Sequence, residues 1–350
     1  TMPIVDSDAH VIETSETWSY LSEAERKFEP MIVTRKSGPG EQAYTGKEIR
    51  EYWVIDGLLL PKDQNIGSEA TPEAREMRDI PGRLAHMDAL DIDIQVLYPT
   101  LFLRPCTTNP EIEYALCRSY NRWLADIWKQ APDRLRWVAM PPLLSMHKLI
   151  AELEFARDNG AVGVMLRGLE HDRMLSDPYF YPLYDAAGEM GLAICPHSAT
   201  NSFLMYNLYH DDAAFNKFKL PTIGAVHSLL WHGVPERFPK IRWGIVEVSA
   251  QWIPYLLNDL GLRLRRRGID MPGDMLERNN MFVACQVTDD LDYVLRYAGE
   301  NTLIIGTDYG HADTATEIDA LRKIRDDGRI APHVIDRILD DNACALYGLQ

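Results

Sequence analysis

The sequence predicts an α/β protein of the (β/α)₈, or TIM, barrel class, with an insert after strand one and closing helices at the C-terminal end. Three observations predict it. Short apolar runs alternate with longer amphipathic stretches along the chain, and eight such runs can be counted. Eight parallel strands joined by crossover helices close this barrel. No Gly-x-Gly-x-x-Gly follows the first run, which removes the main signature of a competing open, doubly wound sheet. The length of 350 residues falls within the roughly 200 to over 400 that such barrels span.

The elements follow in order. Pro3–Ser7 reads as strand one, followed at once by polar residues. A long irregular stretch, about residues 14–78, carries Ser37-Gly38-Pro39-Gly40 and many charges; an insert there would cap the catalytic face of a barrel. Arg83–Leu90 reads as a helix and Ile92–Tyr98 as strand two. Glu111–Gln130 has apolar positions three and four apart, the spacing of one helical face. Leu135–Met140 is strand three, stopped by Pro141-Pro142. Met146–Asp158 is helical and Ala161–Leu166 is strand four. Pro182–Met190 is a helix stopped by Gly191, and Leu192–Cys195 is strand five. After an irregular insert at roughly 200–220, Ile223–His232 is a helix, Ile241–Val248 strand six and Gln251–Arg265 a helix. Asn280–Cys285 is strand seven, Asp289–Tyr297 a helix and Leu303–Thr307 strand eight. Two closing helices cover about Thr314–Asp326 and Pro332–Leu346.

With 46% hydrophobic and 25% charged residues the chain can bury a large core. A net charge of −16 argues against a nucleic-acid or anionic-membrane partner. No apolar run approaches the roughly 18 residues that span a bilayer. The five cysteines are scattered and form no Cys-x-x-Cys pair, so they read as reduced thiols of a cytoplasmic protein.

Barrel enzymes carry their chemistry at the C-terminal ends of strands. Here those ends hold Asp6-Ser7-Asp8-Ala9-His10, Cys195-Pro196-His197, Glu247-Val248-Ser249 and Thr307-Asp308-Tyr309-Gly310-His311. Asp8 and His10 are two apart, so on an extended segment both point to one side and can reach one ion. His197 and Asp308 would complete a mixed nitrogen and oxygen set, which suits zinc first and manganese or iron next. A lone Asp-x-His is common by chance; four such groups, each at a strand end, make the stronger signal. Glu13 could orient a ligand, or simply be a loop carboxylate. Arg167, ending strand four, could hold a substrate carboxylate through its planar fork, or form a structural ion pair. His210 and His227 flank the insert after strand five. Trp18, Phe203, Tyr206 and Trp252 are candidate pocket walls.

The stretches DSDAHVIE, RLAHMDALDIDIQVL, YNRWLAD, DPYFYPLYDAAGEMGLAICPHS, GVPERFPKIRWGIVEVSAQWIPYLL and GTDYGHAD resemble the amidohydrolase superfamily. More narrowly they resemble the branch with aminocarboxymuconate semialdehyde decarboxylase and the resorcylate and carboxyvanillate decarboxylases. The resemblance implies metal binding by Asp8, His10, His197 and Asp308, with Asp308 also handling a proton and His311 orienting it or touching substrate. It departs at strand six, where Glu247 stands in place of the catalytic histidine of those decarboxylases. A carboxylate there can act as a base toward metal-activated water. The expected activity is therefore hydrolysis of a small, carboxylated or aromatic substrate, with Asp308, Glu247 and His311 as catalytic groups. Non-oxidative decarboxylation of an aromatic or enol acid is the alternative, and a catalytically silent binding barrel the third reading. Family members are often dimers or tetramers, so a homo-oligomer is expected, with Trp231–Phe238 a candidate contact.

Overall fold

A computed structural model describes residues 3–210 and 213–349. Eight parallel strands follow one another in chain order around the barrel: β1 (Val5–His10), β2 (Ile94–Tyr98), β3 (Leu135–Ala139), β4 (Ala161–Arg167), β5 (Ala193–His197), β6 (Trp243–Ile245), β7 (Met281–Cys285) and β8 (Leu303–Ile305). The ring closes where Ala9 bridges Tyr309, with His10 N donating to Tyr309 O (2.9 Å) and Asp308 N to Asp8 O (2.8 Å). That closure demands a close approach. A Cβ on Gly306 would lie 2.4 Å from Asp8 Cβ, so only glycine fits there.

Helices between the strands pack outside. The longest, Pro110–Trp128, starts on an Asn109 side chain that accepts from Glu111 N, with proline at its first position. Its apolar stripe, Ile112, Leu116, Tyr120 and Leu124, is buried against the sheet. The last helix, Asn342–Tyr347, closes the barrel from the end where strands begin. Asn342 Nδ2 donates to Leu303 O (2.7 Å) at the start of β8. Tyr347 Oη donates to Ser7 O (2.8 Å) and meets Tyr98 Oη at 2.8 Å. The other end, where strands finish, is left to the site. No helix among the described residues is long and apolar enough to cross a membrane.

Four expectations need correction. The stretch at 14–78 is not irregular: Met31–Lys36, Ile49–Ile55 and Leu58–Pro61 form a three-stranded antiparallel sheet. Its end is stitched to the loop after β8 by an Ile66–His311 bridge, where a Cβ on Gly67 would lie 2.2 Å from His311 O. β1 runs on to His10 rather than ending at Ser7. β6 stops at Ile245 rather than Val248, because Glu247 and Ser249 take positive φ (62° and 60°), which no strand allows. The helix expected over Thr314–Asp326 is confined to Ala320–Arg325. Of the insert expected at about 200–220, residues 211 and 212 lie outside the described residues.

Candidate metal centre

The C-terminal ends of β1, β5, β6 and β8 converge on one small volume. Ligand atoms of Asp8, His10, His197 and Glu247 lie within 4.8 Å of one another, as do those of His10, Glu247, Asp308 and His311, and all six residues are buried. Asp8 Oδ1 is 3.3 Å from His10 Nε2 and 3.4 Å from His197 Nε2. Glu247 Oε2 is 3.6 Å and 3.3 Å from the same two nitrogens. Asp308 Oδ1 is 3.4 Å from His10 Nε2.

The far side of the ring fixes the His10 tautomer. Its Nδ1 lies 3.0 Å from Pro99 O, an acceptor, so Nδ1 carries the hydrogen and Nε2 of the neutral ring presents a lone pair to the centre. His197 Nδ1 similarly faces Ser198 O at 3.3 Å. Lone pairs of imidazoles and carboxylates thus point at one another. His10 Nε2 and Glu247 Oε2 are buried with no hydrogen-bond partner. Buried polar atoms are seldom left so, and a cation among them satisfies all of them at once. Burial favours the neutral form of His10 and His197, but the carboxylates around them outweigh it and raise their pKa values. Burial would raise Asp8, yet the two histidines hold it well below the usual carboxylate range. Glu247 is pushed well above its ordinary value by burial and by Asp313, then Asp308 and Asp8.

A second pair adjoins the centre. Thr100 directs its hydroxyl hydrogen to Val11 O (2.7 Å), so it accepts from His311 Nε2 at 2.9 Å. His311 Nδ1 then faces Asp308 Oδ1 at 2.7 Å, a contact that needs one further proton between them. Thr316 Oγ1 donates to Asp308 Oδ2 (2.6 Å). The ion pairs that Asp8, Glu247 and Asp308 make among the described residues are all with histidines.

The structure brings Asp8, His10, His197, Glu247, Asp308 and His311 together. The remaining candidates stand elsewhere. The planar fork of Arg167 is engaged by Glu170, Nε to Oε1 at 2.9 Å and Nη2 to Oε2 at 2.7 Å, both residues buried. Glu13 accepts from Thr100 N and Leu101 N (3.0 Å each), and so shapes the loop that carries Thr100. Trp252 Nε1 donates to Ser249 O (2.6 Å). His227 stacks on Trp231 and lies 3.6 Å from Asp259; neither it nor His210 belongs to the two ligand groups. Sequence reasoning missed Thr100, Thr316 and Asp313. Only Asp313 had a signal, as the last residue of the GTDYGHAD stretch.

A family model described as amidohydrolase matches residues 5–349. Solved structures share the fold. An amidohydrolase from Mycobacterium avium subsp. paratuberculosis K-10 aligns at a TM-score of 0.76 and 20% identity, over 100% of this chain and 99% of that one. 5-Carboxyvanillate decarboxylase from Sphingomonas paucimobilis aligns at 0.69 and 18% identity, over 100% of both chains. The 5-carboxyvanillate decarboxylase of Novosphingobium aromaticivorans DSM 12444, complexed with manganese and 4-hydroxy-3-methoxy-5-nitrobenzoic acid, aligns at 0.70 and 18% identity over 99% and 96%. No curated protein matches the sequence.

Proposed function

The chain belongs to the amidohydrolase family, and from that premise we propose that it is a metal-dependent hydrolase of a small carbonyl compound. Asp8, His10, His197, Glu247 and Asp308 would hold one divalent cation, zinc first on its nitrogen and oxygen donors, with manganese and iron as competitors. Bound there, such an ion supplies Lewis acidity, lowering the pKa of a water and polarising a carbonyl oxygen. The chain's own groups do the rest. Glu247, whose Oε2 faces the gap between His10 and His197 as a ligand, takes the proton of the attacking water on its other carboxylate oxygen. The His311–Asp308 pair holds a proton at Nδ1–Oδ1, ready for the leaving group, while Thr100 and Thr316 fix its orientation.

One observation carries the choice of hydrolysis. At the end of β6 a buried carboxylate, Glu247, faces the ligand atoms with an unpaired oxygen. Ionised, it repels the carboxylate of an acid substrate but accepts a proton from water. The fork of Arg167, which could have offset that repulsion, is closed on Glu170. A second reading draws on the two relatives that are 5-carboxyvanillate decarboxylases: decarboxylation of an aromatic or enol acid, with Asp308 delivering a proton to carbon. Incubating the metal-loaded protein with esters, amides and lactones, and separately with hydroxybenzoates, separates the two. Acid release that is lost in E247A, without CO₂ from the hydroxybenzoates, is expected. CO₂ release with no hydrolysis overturns the first reading in favour of the second.

A further inference from the structure

Glu247 reaches the ligand centre by an unusual backbone path. Val246 still follows the barrel, bridging His197. Glu247 and Ser249 then turn into the left-handed region, φ 62° and 60°, which side chains other than Gly, Asn and Asp seldom adopt. Glu247 Oε2 has no hydrogen bond that could aim it, so the backbone sets the direction from which it faces the two imidazoles. That backbone is gripped from the neighbouring strand. Asp289, buried in the turn after β7, accepts the Ser249 hydroxyl on Oδ1 and both Ala250 N–H (2.9 Å) and Gln286 N–H (2.8 Å) on Oδ2. The grip is reinforced from both sides. Trp252 Nε1 donates to Ser249 O (2.6 Å), and Asp290 N donates to Gln251 Oε1 (2.8 Å).

We propose that Asp289 is the positioning residue for Glu247: it clasps the turn after β6 and so aims the Glu247 carboxylate at His10 and His197. Asp289 itself lies outside both groups of ligand atoms. The inference rests on the metal-centre reading above, and extends it by assigning to a carboxylate on another strand the job of holding one ligand in place. Groups that orient metal ligands alter affinity by roughly 10- to 100-fold when removed.

The test is a double-mutant cycle read by metal binding, with Zn²⁺ competed against a chromophoric chelator. D289A is expected to weaken Zn²⁺ binding about 10- to 100-fold. S249A is expected to weaken it less, in the same direction. D289N, whose amide oxygen can still accept the two backbone N–H groups and whose NH₂ can meet the Ser249 hydroxyl, is expected to stay near the unsubstituted protein. In an E247A background D289A should change Zn²⁺ affinity by no more than about twofold. Unchanged affinity in D289A, or an equal loss with and without Glu247, overturns the proposal. If D289A does not fold, S249A carries the same cycle. A crystal structure of D289A supplies a readout that needs no metal: Glu247 is expected to leave its positive φ, and finding it still near 62° with Oε2 still about 3.3 Å from His197 Nε2 refutes the clasp. A wild-type protein that binds no Zn²⁺ removes the metal-centre reading instead, and that crystal structure then decides the clasp alone.

Discussion

Asp6 and Asp8 stand two residues apart on β1, both buried, in opposite surroundings. Asp6 is saturated by neutral donors: Thr307 N (2.9 Å), Thr307 Oγ1 (2.6 Å) and Gln95 Nε2 (2.9 Å), with Gln95 in turn accepting from Arg83 Nε (2.7 Å). Asp8 meets the imidazoles of His10 and His197, whose lone pairs a cation would share. The first network is closed by protein donors, while the second gathers donor atoms that could hold a cation. A buried carboxylate fed by amides and hydroxyls is architecture, because its lone pairs are used. A buried carboxylate among imidazole nitrogens and other carboxylates is a candidate cation site, because those donor atoms could share one ion.

The largest expected effect breaks the comparison from the side of the site. H197A and H10A should lower Zn²⁺ affinity by more than about 100-fold, beyond the range expected for outer partners, and abolish turnover with it. D6N, on the same strand, should leave the Zn²⁺ affinity within about tenfold of wild type. Equal losses in H197A and D6N, measured by chelator competition, would erase the distinction.

Much of the barrel and of the candidate site was legible in the sequence, while the contrast between Asp6 and Asp8 was not, and what was hidden has physical reasons. The barrel could be counted because its strands are short apolar runs, buried on both faces, as parallel strands are. Asp8, His10, His197 and Asp308 could be found because strand ends point to the catalytic face. The sheet at 31–61 was hidden: Met31–Lys36 is mostly exposed and mixes apolar with charged residues, so no buried alternation marks it. The bend at Glu247 was hidden more deeply. Ile241–Val248 reads as a strand by every local measure, and the residue that holds the turn at its end, Asp289, lies 40 residues beyond Ser249. Arg167 was legible only as two alternatives, and the structure takes the ion pair: Glu170, three residues on, closes on its fork across a short turn.

Removing the metal sharpens the comparison by less. A ligand bound only by the folded state stabilises it by RT ln(1 + [L]/Kd), about 2.7 kcal/mol at 100 times Kd. Chelation of the wild-type protein should therefore lower its thermal midpoint by a few degrees, reversibly on adding Zn²⁺. H197A should show almost no such shift, while D6N should show the full one. A wild-type midpoint insensitive to chelator and to added Zn²⁺ would place the ligand cluster with Asp6, as architecture.

The smallest effect concerns Asp6 itself, and it has a sign. Burial raises its carboxyl from an ordinary 3.8 to about 6, against the donors from Thr307 and Gln95, which lower it. Between those values the folded protein keeps a proton that the unfolded chain has released. The stability from this group is thus fully present below about pH 3.8 and is lost as pH rises through about 6. D6N cannot titrate. It also mispairs an amide NH₂ with the donors of Gln95 and Thr307, a cost of about 1–3 kcal/mol. Its deficit relative to wild type should be largest at low pH and should narrow as pH passes through about 6. Urea midpoints of both proteins, measured across that window in the presence of chelator, check this. Parallel curves would mean that Asp6 keeps one protonation state throughout, and that its donors, rather than its burial, govern its charge.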